Sequence, residues 1–245
     1  METIAVSGTL YLDEDMTAPQ VLPVAGGQAC VFTHGRPGRD SPNEDAAGVF
    51  AVAGDCAVLA VADGLGGLPA GSHASSLALQ QLASRLTGKP CGEAQREAVL
   101  TGLEQANEAV LGAGQGSGTT IAVAGIDQHT VRAYHAGDSM ILITGQRGRI
   151  KYQSVSHSPV GYAEASGMLD EKGAMFHTER HLVSNMVGMA EMRIEMSPPI
   201  ELAPRDTVVL ASDGVFDNLY ISEVIDLVRT GPIAVAGARL FEQCK

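Results

Sequence analysis

Apolar residues gather in short runs separated by glycine, proline and Asp-Gly steps, and most runs are too brief for helices. Segments at about 28–33, 46–53, 56–62, 118–126, 130–136, 139–144, 149–154, 190–196 and 206–212 are rich in Val, Ile and Ala and are predicted as strands. Alternation in 190–196 is only partial. Two longer segments change period. Between Pro69 and Gly88, apolar residues fall at Ala74, Leu77, Ala78, Leu82 and Leu86; between Glu93 and Gly112 they fall at Val99, Leu103, Ala106 and Val110. Steps of mostly three and four place each set on one helical face, so two amphipathic helices are predicted. The Gly88–Gly92 breaker between them is short enough to fold them back as an antiparallel pair. A further helix is predicted with Ser222 as N-cap and Glu223 in its first turn, and another from Pro232.

The order is strands, two helices, more strands, a mixed segment at 157–188, a strand, then helices. It lacks the regular β-α alternation of a parallel doubly wound sheet. It predicts an α+β fold instead: a β-sandwich of two mainly antiparallel sheets flanked by helices, with residues 1–245 as one domain.

Composition narrows the function classes. Apolar content of 45% is enough to bury a core and excludes disorder as the dominant state. The 16 Lys+Arg against 28 Asp+Glu leave a net charge of −12, so neither nucleic acid nor an anionic membrane surface is an expected partner. No apolar run approaches the ~18 residues of a membrane span; the longest resemble Cys56-Ala-Val-Leu-Ala-Val-Ala62. The start, Met1-Glu2-Thr3, is not that of a signal peptide, so a cytoplasmic monomer is expected. Cys30, Cys56, Cys91 and Cys244 are scattered without a Cys-x-x-Cys pair and read as reduced thiols.

The chemistry concentrates where strands meet carboxylates. Three apolar runs end in an aspartate beside glycine: Leu59-Ala-Val-Ala-Asp63-Gly64, Ala133-Tyr-His-Ala-Gly137-Asp138 and Val208-Val-Leu-Ala-Ser-Asp213-Gly214. Glu44-Asp45 leads into another strand. One Asp-Gly step alone is ordinary turn chemistry. Several at the ends of strands in one sheet can converge, and converging anions repel one another unless a cation lies among them. An all-oxygen set suits Mg²⁺ or Mn²⁺ rather than Zn²⁺ or copper, and Gly64 leaves its carbonyl open as a further ligand. Rival motifs fail on spacing. Asp63-Gly-Leu-Gly-Gly67 has Pro69 where a dinucleotide loop needs its last glycine, and Gly114–Thr120 lacks the lysine of a P-loop. His177-Thr-Glu-Arg-His181 misplaces the glutamate of a zinc protease, and no Gly-x-Ser-x-Gly elbow occurs.

The ordered set over about residues 30–229 resembles the metal-dependent Ser/Thr protein phosphatases, the protein phosphatase 2C-like or PPM family, in a bacterial form. The matching residues are Arg39…Asn43-Glu44-Asp45, Val61-Ala-Asp63-Gly64-Leu-Gly66-Gly67, Gly118-Thr119-Thr120, Ala136-Gly137-Asp138-Ser139, His157-Ser158, Gly167, His177…Arg180, Gly188, and Ala211-Ser212-Asp213-Gly214…Asp217. The resemblance implies hydrolysis of phosphoserine and phosphothreonine in proteins by a metal-activated water at a binuclear Mn²⁺ or Mg²⁺ centre, counteracting a Ser/Thr kinase. It implies that Asp63 bridges two metals, that the Gly64 carbonyl binds one, and that Asp213 holds the second. Asp138 with Asp213 would hold a third ion. Glu44 and Asp45 would act through metal-bound waters, Arg39 would grip the substrate phosphate, and 157–188 would be the family's flap.

This sequence departs from the family at four places. Arg39 lies five residues before Glu44 rather than four, which leaves Arg36 as a rival clamp. Leu65 stands where many eukaryotic members carry a histidine, and Met140 where arginine is usual. The sequence stops at Cys244-Lys245, short of the family's terminal Asp-Asn or Asp-Asp motif and last strand. That departure keeps open a non-catalytic phosphatase-like binding or regulatory module. A hydrolase of small phosphoesters is the weaker alternative.

Overall fold

The computed structural model describes residues 7–36, 38, 42–65, 70–88, 91–114 and 116–244. In chain order, β1 (Ser7–Leu12) is followed by the hairpin β2 (Gln20–Val24) and β3 (Gly27–Val31), then by β4 (Asp45–Ala53) and β5 (Cys56–Leu65). Helices α1 (Ala70–Leu86) and α2 (Glu93–Ala113) come next. The strands β6 (Gly118–Thr119), β7 (Ile121–Asp127), β8 (Thr130–Ala136), β9 (Met140–Thr144) and β10 (Ile150–Gln153) lead to the short helices α3 (Pro159–Ala165) and α4 (Glu171–Met175). Then come β11 (Glu195–Met196), β12 (Ile200–Glu201), β13 (Thr207–Ala211), α5 (Asp213–Phe216), α6 (Ile221–Val228) and α7 (Ile233–Cys244).

The larger sheet runs β1-β4-β5-β7-β8-β11, with β12 also on β8 and β6 extending β5; the smaller runs β10-β9-β13. All pairings are antiparallel. Apolar contacts order the layers. One face of the larger sheet (Phe50, Val58, Ala60, Ala62, Val123) packs on the stripes of α1 and α2, where Leu79, Leu82, Leu86 and Leu103 have no solvent exposure. Each such leucine contributes about 1.5–3 kcal/mol by burial. The opposite face (Ala122, Ala124, Ala133) meets Ile141 and Ile143 of the smaller sheet. The outer side of that sheet (Leu142, Val209, Ala211) is covered by α6 and α7 through Val224, Ile225 and Leu240. The α+β sandwich of two antiparallel sheets between helices is therefore present.

Several local expectations change. The run at 118–126 breaks at Thr120, whose N–H and hydroxyl turn to the backbone of Asp63. Of 190–196, only Glu195–Met196 pairs, on the edge of β8. Asp63-Gly64 is not a turn: β5 continues through it and pairs Gly64 with Thr119. The N-cap of α6 is Tyr220 rather than Ser222, because the Glu223 carboxylate accepts the Tyr220 N–H at 2.9 Å. Cys56 and Cys91 are joined as a disulfide with Cα atoms 5.9 Å apart, whereas Cys30 and Cys244 are free. Four reduced thiols were the wrong expectation, because folding brings the start of β5 beside the α1–α2 connection.

The hairpin β2-β3 stands apart from the smaller sheet. Among the described residues, β3 pairs only with β2 and β13 only with β9, so each keeps an open edge. A cleft of about 2050 Å³ lies between them and reaches the carboxylates at one end of the sandwich.

Candidate active site

β4 and β5 set the first two carboxylates. Their register places Asp45 directly opposite Asp63, so the side chains share a face and stand in reach of one another. Asn43 fixes the entry to β4. Its Oδ1 accepts the Asp45 N–H at 3.0 Å, while its Nδ2 donates to the Glu14 carbonyl and the Thr33 hydroxyl, both at 2.7 Å. The Glu44 carbonyl accepts from Gly64 N–H at 3.0 Å and from the Ser75 hydroxyl at 2.6 Å, tying β5 and α1 to the same point. Gly64 and Gly71 are pressed together: a Cβ on Gly64 would lie 2.1 Å from the Gly71 carbonyl oxygen. Only glycine fits at that contact.

Threonines hold Asp63 from the other side. Its carbonyl accepts from Thr120 N–H and from the Thr119 hydroxyl, both at 2.8 Å, and its N–H donates to Thr120 Oγ1 at 3.2 Å. Thr120 Oγ1 also bonds Ser139 Oγ at 2.6 Å, one residue past Asp138. The turn before Asp138 uses Gly137 at φ +116°, where a Cβ would lie 2.5 Å from Thr120. Asp213 comes from the other sheet, at the start of α5 directly after β13. Its neighbour Ser212 donates to Asp45 Oδ2 at 2.8 Å, bridging the two sheets across the cleft. Asp217 accepts from Arg180 Nε at 2.8 Å, which brings a cation of the 157–188 segment to the rim.

The electrostatics are those of crowded anions. Burial, with repulsion from Asp213 and Glu44, pushes Asp45 up to about 6 against hydrogen bonds from Ser212 and Asp63. Asp63 is raised well above the carboxylate range by burial and then by Asp45, Asp213 and Asp138. Asp138 is pushed up to about 7 by burial, then by Asp213 and Asp217. Asp213 opens to the cleft mouth, yet the walls still strip it of water; that loss and Asp217 raise it, while Asp63, the Gly214 N–H and Arg180 oppose the rise. Among the described residues, Glu44 Oε1 is buried with no hydrogen-bond partner.

Asp45, Asp63, Asp138 and Asp213 are thus brought together, with Glu44 and Gly64 adjoining. Arg39 lies outside the described residues. Arg36 is exposed and lines the same cleft, as does Arg180. The donor set fits hard divalent cations: all oxygen, short of water, mutually repelling, with an orphaned glutamate oxygen beside it. The supports Asn43, Thr119, Thr120 and Ser212 carried no role in the sequence reading. Their place within the motifs Asn43-Glu44-Asp45, Gly118-Thr119-Thr120 and Ser212-Asp213 was the available signal.

Comparison with known proteins gives a consistent result. Residues 35–236 match the family model for protein phosphatase 2C. Protein phosphatase PhpP of Streptococcus pneumoniae is 29% identical over 182 residues, spanning 70% of this chain and 72% of that protein. Serine/threonine phosphatase Stp1 of Staphylococcus aureus superposes with TM-score 0.77 at 24% identity, over 96% of this chain and 91% of that one. The catalytic domain of the phosphatase PstP, in complex with two manganese ions, superposes with TM-score 0.68 at 21% identity, over 98% and 91%.

Proposed function

Because the chain belongs to the protein phosphatase 2C family, we propose that it hydrolyses phosphoserine and phosphothreonine in proteins with the aid of two or three Mn²⁺ or Mg²⁺ ions. The observation that carries this reading is the convergence of Asp45, Asp63 and Asp213 at one cleft end, with Asp138 interacting with Asp63 and Asp213, all four with raised proton affinities. The two manganese ions in the PstP complex are in keeping with it.

Asp63 and Asp213, with the Gly64 carbonyl, would hold the two principal ions, and Asp138 with Asp213 a third. When bound, the ions supply positive charge to the phosphoryl oxygens and make a water acidic enough to attack phosphorus. The chain's own residues orient and bind. Glu44 and Asp45 would accept hydrogen bonds from water in the cleft, with Asp45 oriented by the Ser212 hydroxyl. Arg39 or Arg36 would bind the phosphate as a cation at the rim. Leu65 has no proton to give, so the leaving serine or threonine oxygen takes its proton from solvent. The 157–188 segment would be the flap of a single catalytic domain, restricting which phosphopeptides reach the cleft. No helix among the described residues is long and apolar enough to cross a membrane; our reading keeps a cytoplasmic monomer in signalling against a Ser/Thr kinase, although the Cys56–Cys91 disulfide is of a kind uncommon in that compartment.

The test is phosphate release from a phosphothreonine peptide and from a small phosphate ester, with Mn²⁺, with EDTA, and with Asp63→Asn. Mn²⁺-dependent release from the peptide, lost in the variant, is expected. Folded protein that releases no phosphate at millimolar Mn²⁺ would refute catalysis and leave a binding module. Preference for the small ester would refute the protein substrate.

A further inference from the structure

Outside the carboxylate cluster, a buried polar network centres on His157. Its backbone and side chain grip both backbone polar groups of one residue, Gly137. The His157 N–H donates to the Gly137 carbonyl at 3.0 Å, and Nδ1 accepts the Gly137 N–H at 3.1 Å. The His157 carbonyl accepts from the N–H and the hydroxyl of Ser184, both at 2.8 Å. Asn185 Nδ2 lies 2.9 Å from the same Nδ1, and its amide is oriented by Arg193: Oδ1 accepts the Arg193 N–H at 2.9 Å and Nδ2 donates to the Arg193 carbonyl at 2.7 Å. His157 also stacks on His135 with ring centroids 4.4 Å apart, and its Nε2 lies 3.2 Å from Glu195 Oε2.

Hydrogen-bond accounting fixes the ring. A backbone N–H can only donate, so Nδ1 is the acceptor and Nε2 carries the hydrogen given to Glu195. That assignment disposes of the alternative, a metal held by His135, His157 and Glu195, whose ligand atoms lie within 4.8 Å of one another. Coordination through Nε2 would need its hydrogen removed while Nδ1 still accepts.

Gly137 precedes Asp138. On one side it is packed against Thr120, which also bonds the backbone of Asp63; on the other it is held by His157. We propose that His157 is a positioning residue: it latches the Gly137 peptide so that Asp138 is presented to the metal cluster, and through Ser184 and Asn185 it couples that placement to the 157–188 segment. The inference rests on the reading of Asp138 as a metal-binding carboxylate.

Two isosteres separate positioning from packing. His157→Asn keeps an acceptor near the Nδ1 position and loses Nε2. His157→Gln keeps a group near Nε2 and loses the Nδ1 acceptor. Calorimetric Mn²⁺ titration should give His157→Asn an affinity within about 2-fold of wild type. His157→Gln should bind about 10-fold more weakly, the usual effect of removing an outer-shell partner. Its kcat at saturating Mn²⁺ should change far less than its Mn²⁺ half-saturation. Equal loss in both variants, or wild-type affinity in His157→Gln, would overturn the proposal.

A metal-free readout covers variants that fail to fold. In EDTA-treated wild type, the Gly137 and Ser184 amides should exchange with solvent through the same opening, with matching protection. Independent exchange would show that no latch joins them. If wild type binds no Mn²⁺, the reading of the cluster fails, and the exchange result still decides the latch.

Discussion

Replacing Asp138 by asparagine should stabilise the metal-free protein, and increasingly so as pH rises. Asp138 is pushed from an ordinary 3.8 up to about 7 by burial, Asp213 and Asp217. The folded state therefore holds this proton more tightly than the unfolded chain does. Its contribution to stability is fully present below about pH 4 and is lost as pH rises through about 7. At 1.36 kcal/mol per pH unit, the whole loss is about 4 kcal/mol, an upper bound because the cleft admits water. By pH 5 only about 1.6 kcal/mol of it has gone, so the advantage of Asp138→Asn should grow by at most about 2–3 kcal/mol between pH 5 and pH 8. Asp45, pushed up to about 6, adds a second loss in an overlapping window, and the two do not sum because the carboxyls interact.

The assay is urea denaturation of EDTA-treated wild type and variant at pH 5 and pH 8, read as free energy only where the slopes agree. Added Mn²⁺ should reverse the ranking at pH 8, because a ligand that binds only the folded state stabilises by RT ln(1 + [L]/Kd) and the variant has lost a carboxylate. Two results would refute the reasoning. One is a variant advantage that does not grow from pH 5 to pH 8; the other is a metal-free wild type that outlasts the variant at pH 8.

Other perturbations test the supports. Gly64→Ala puts a methyl 2.1 Å from the Gly71 carbonyl; separating β5 from α1 should cost about 3 kcal/mol or more in a denaturation experiment. Reducing the Cys56–Cys91 bridge, which closes a separation of 35 residues, should cost about 4 kcal/mol by chain entropy. That corresponds to a fall in Tm of roughly 10 °C for a chain of this size. Cys91→Ser should reproduce the fall and become insensitive to dithiothreitol. Arg180→Ala should barely alter stability, because its pair with Asp217 is half exposed. It removes a cation facing Asp213, so calorimetry should show Mn²⁺ binding tightened by roughly 2–5-fold.

The parts legible in the sequence were those that repeat a local period. The stripes of α1 and α2 and the Val/Ile/Ala runs of β4, β5, β7 to β10 and β13 matched to within a few residues. β1 and β2 were not visible: Ser-Gly-Thr opens one, and Pro23 interrupts the other. β11 and β12 are two-residue pairings that exist only because the edge of β8 is there to receive them. The cluster was readable because each aspartate sits beside glycine or glutamate at a strand boundary. Its supports were not, since Ser212 reaches Asp45 across 167 residues; nor was the bond by which Gln95, away from the cluster, reaches Ala57 across 38. A lone serine or glutamine carries no periodic signal of such a partner.

Small residues explain how a self-repelling cluster can be built at all. Ala60 and Ala62 lead β5 to Asp63, Ala122 and Ala124 lie in its neighbour β7, and Ala133 and Ala136 lead β8 to Asp138. Large side chains there would hold the sheet away from α1 and from β9. Alanine lets the layers close, and that brings Gly64 onto Gly71 and Gly137 onto Thr120. Each approach fixes the backbone one residue from a carboxylate, so mutual repulsion cannot be relieved by moving a strand. The remaining outlets are protonation or a bound cation, and by pH 8 protonation is nearly spent for Asp45 and Asp138. On the reading proposed above, the tight alanine and glycine packing is what would make four repelling carboxylates a site for divalent charge.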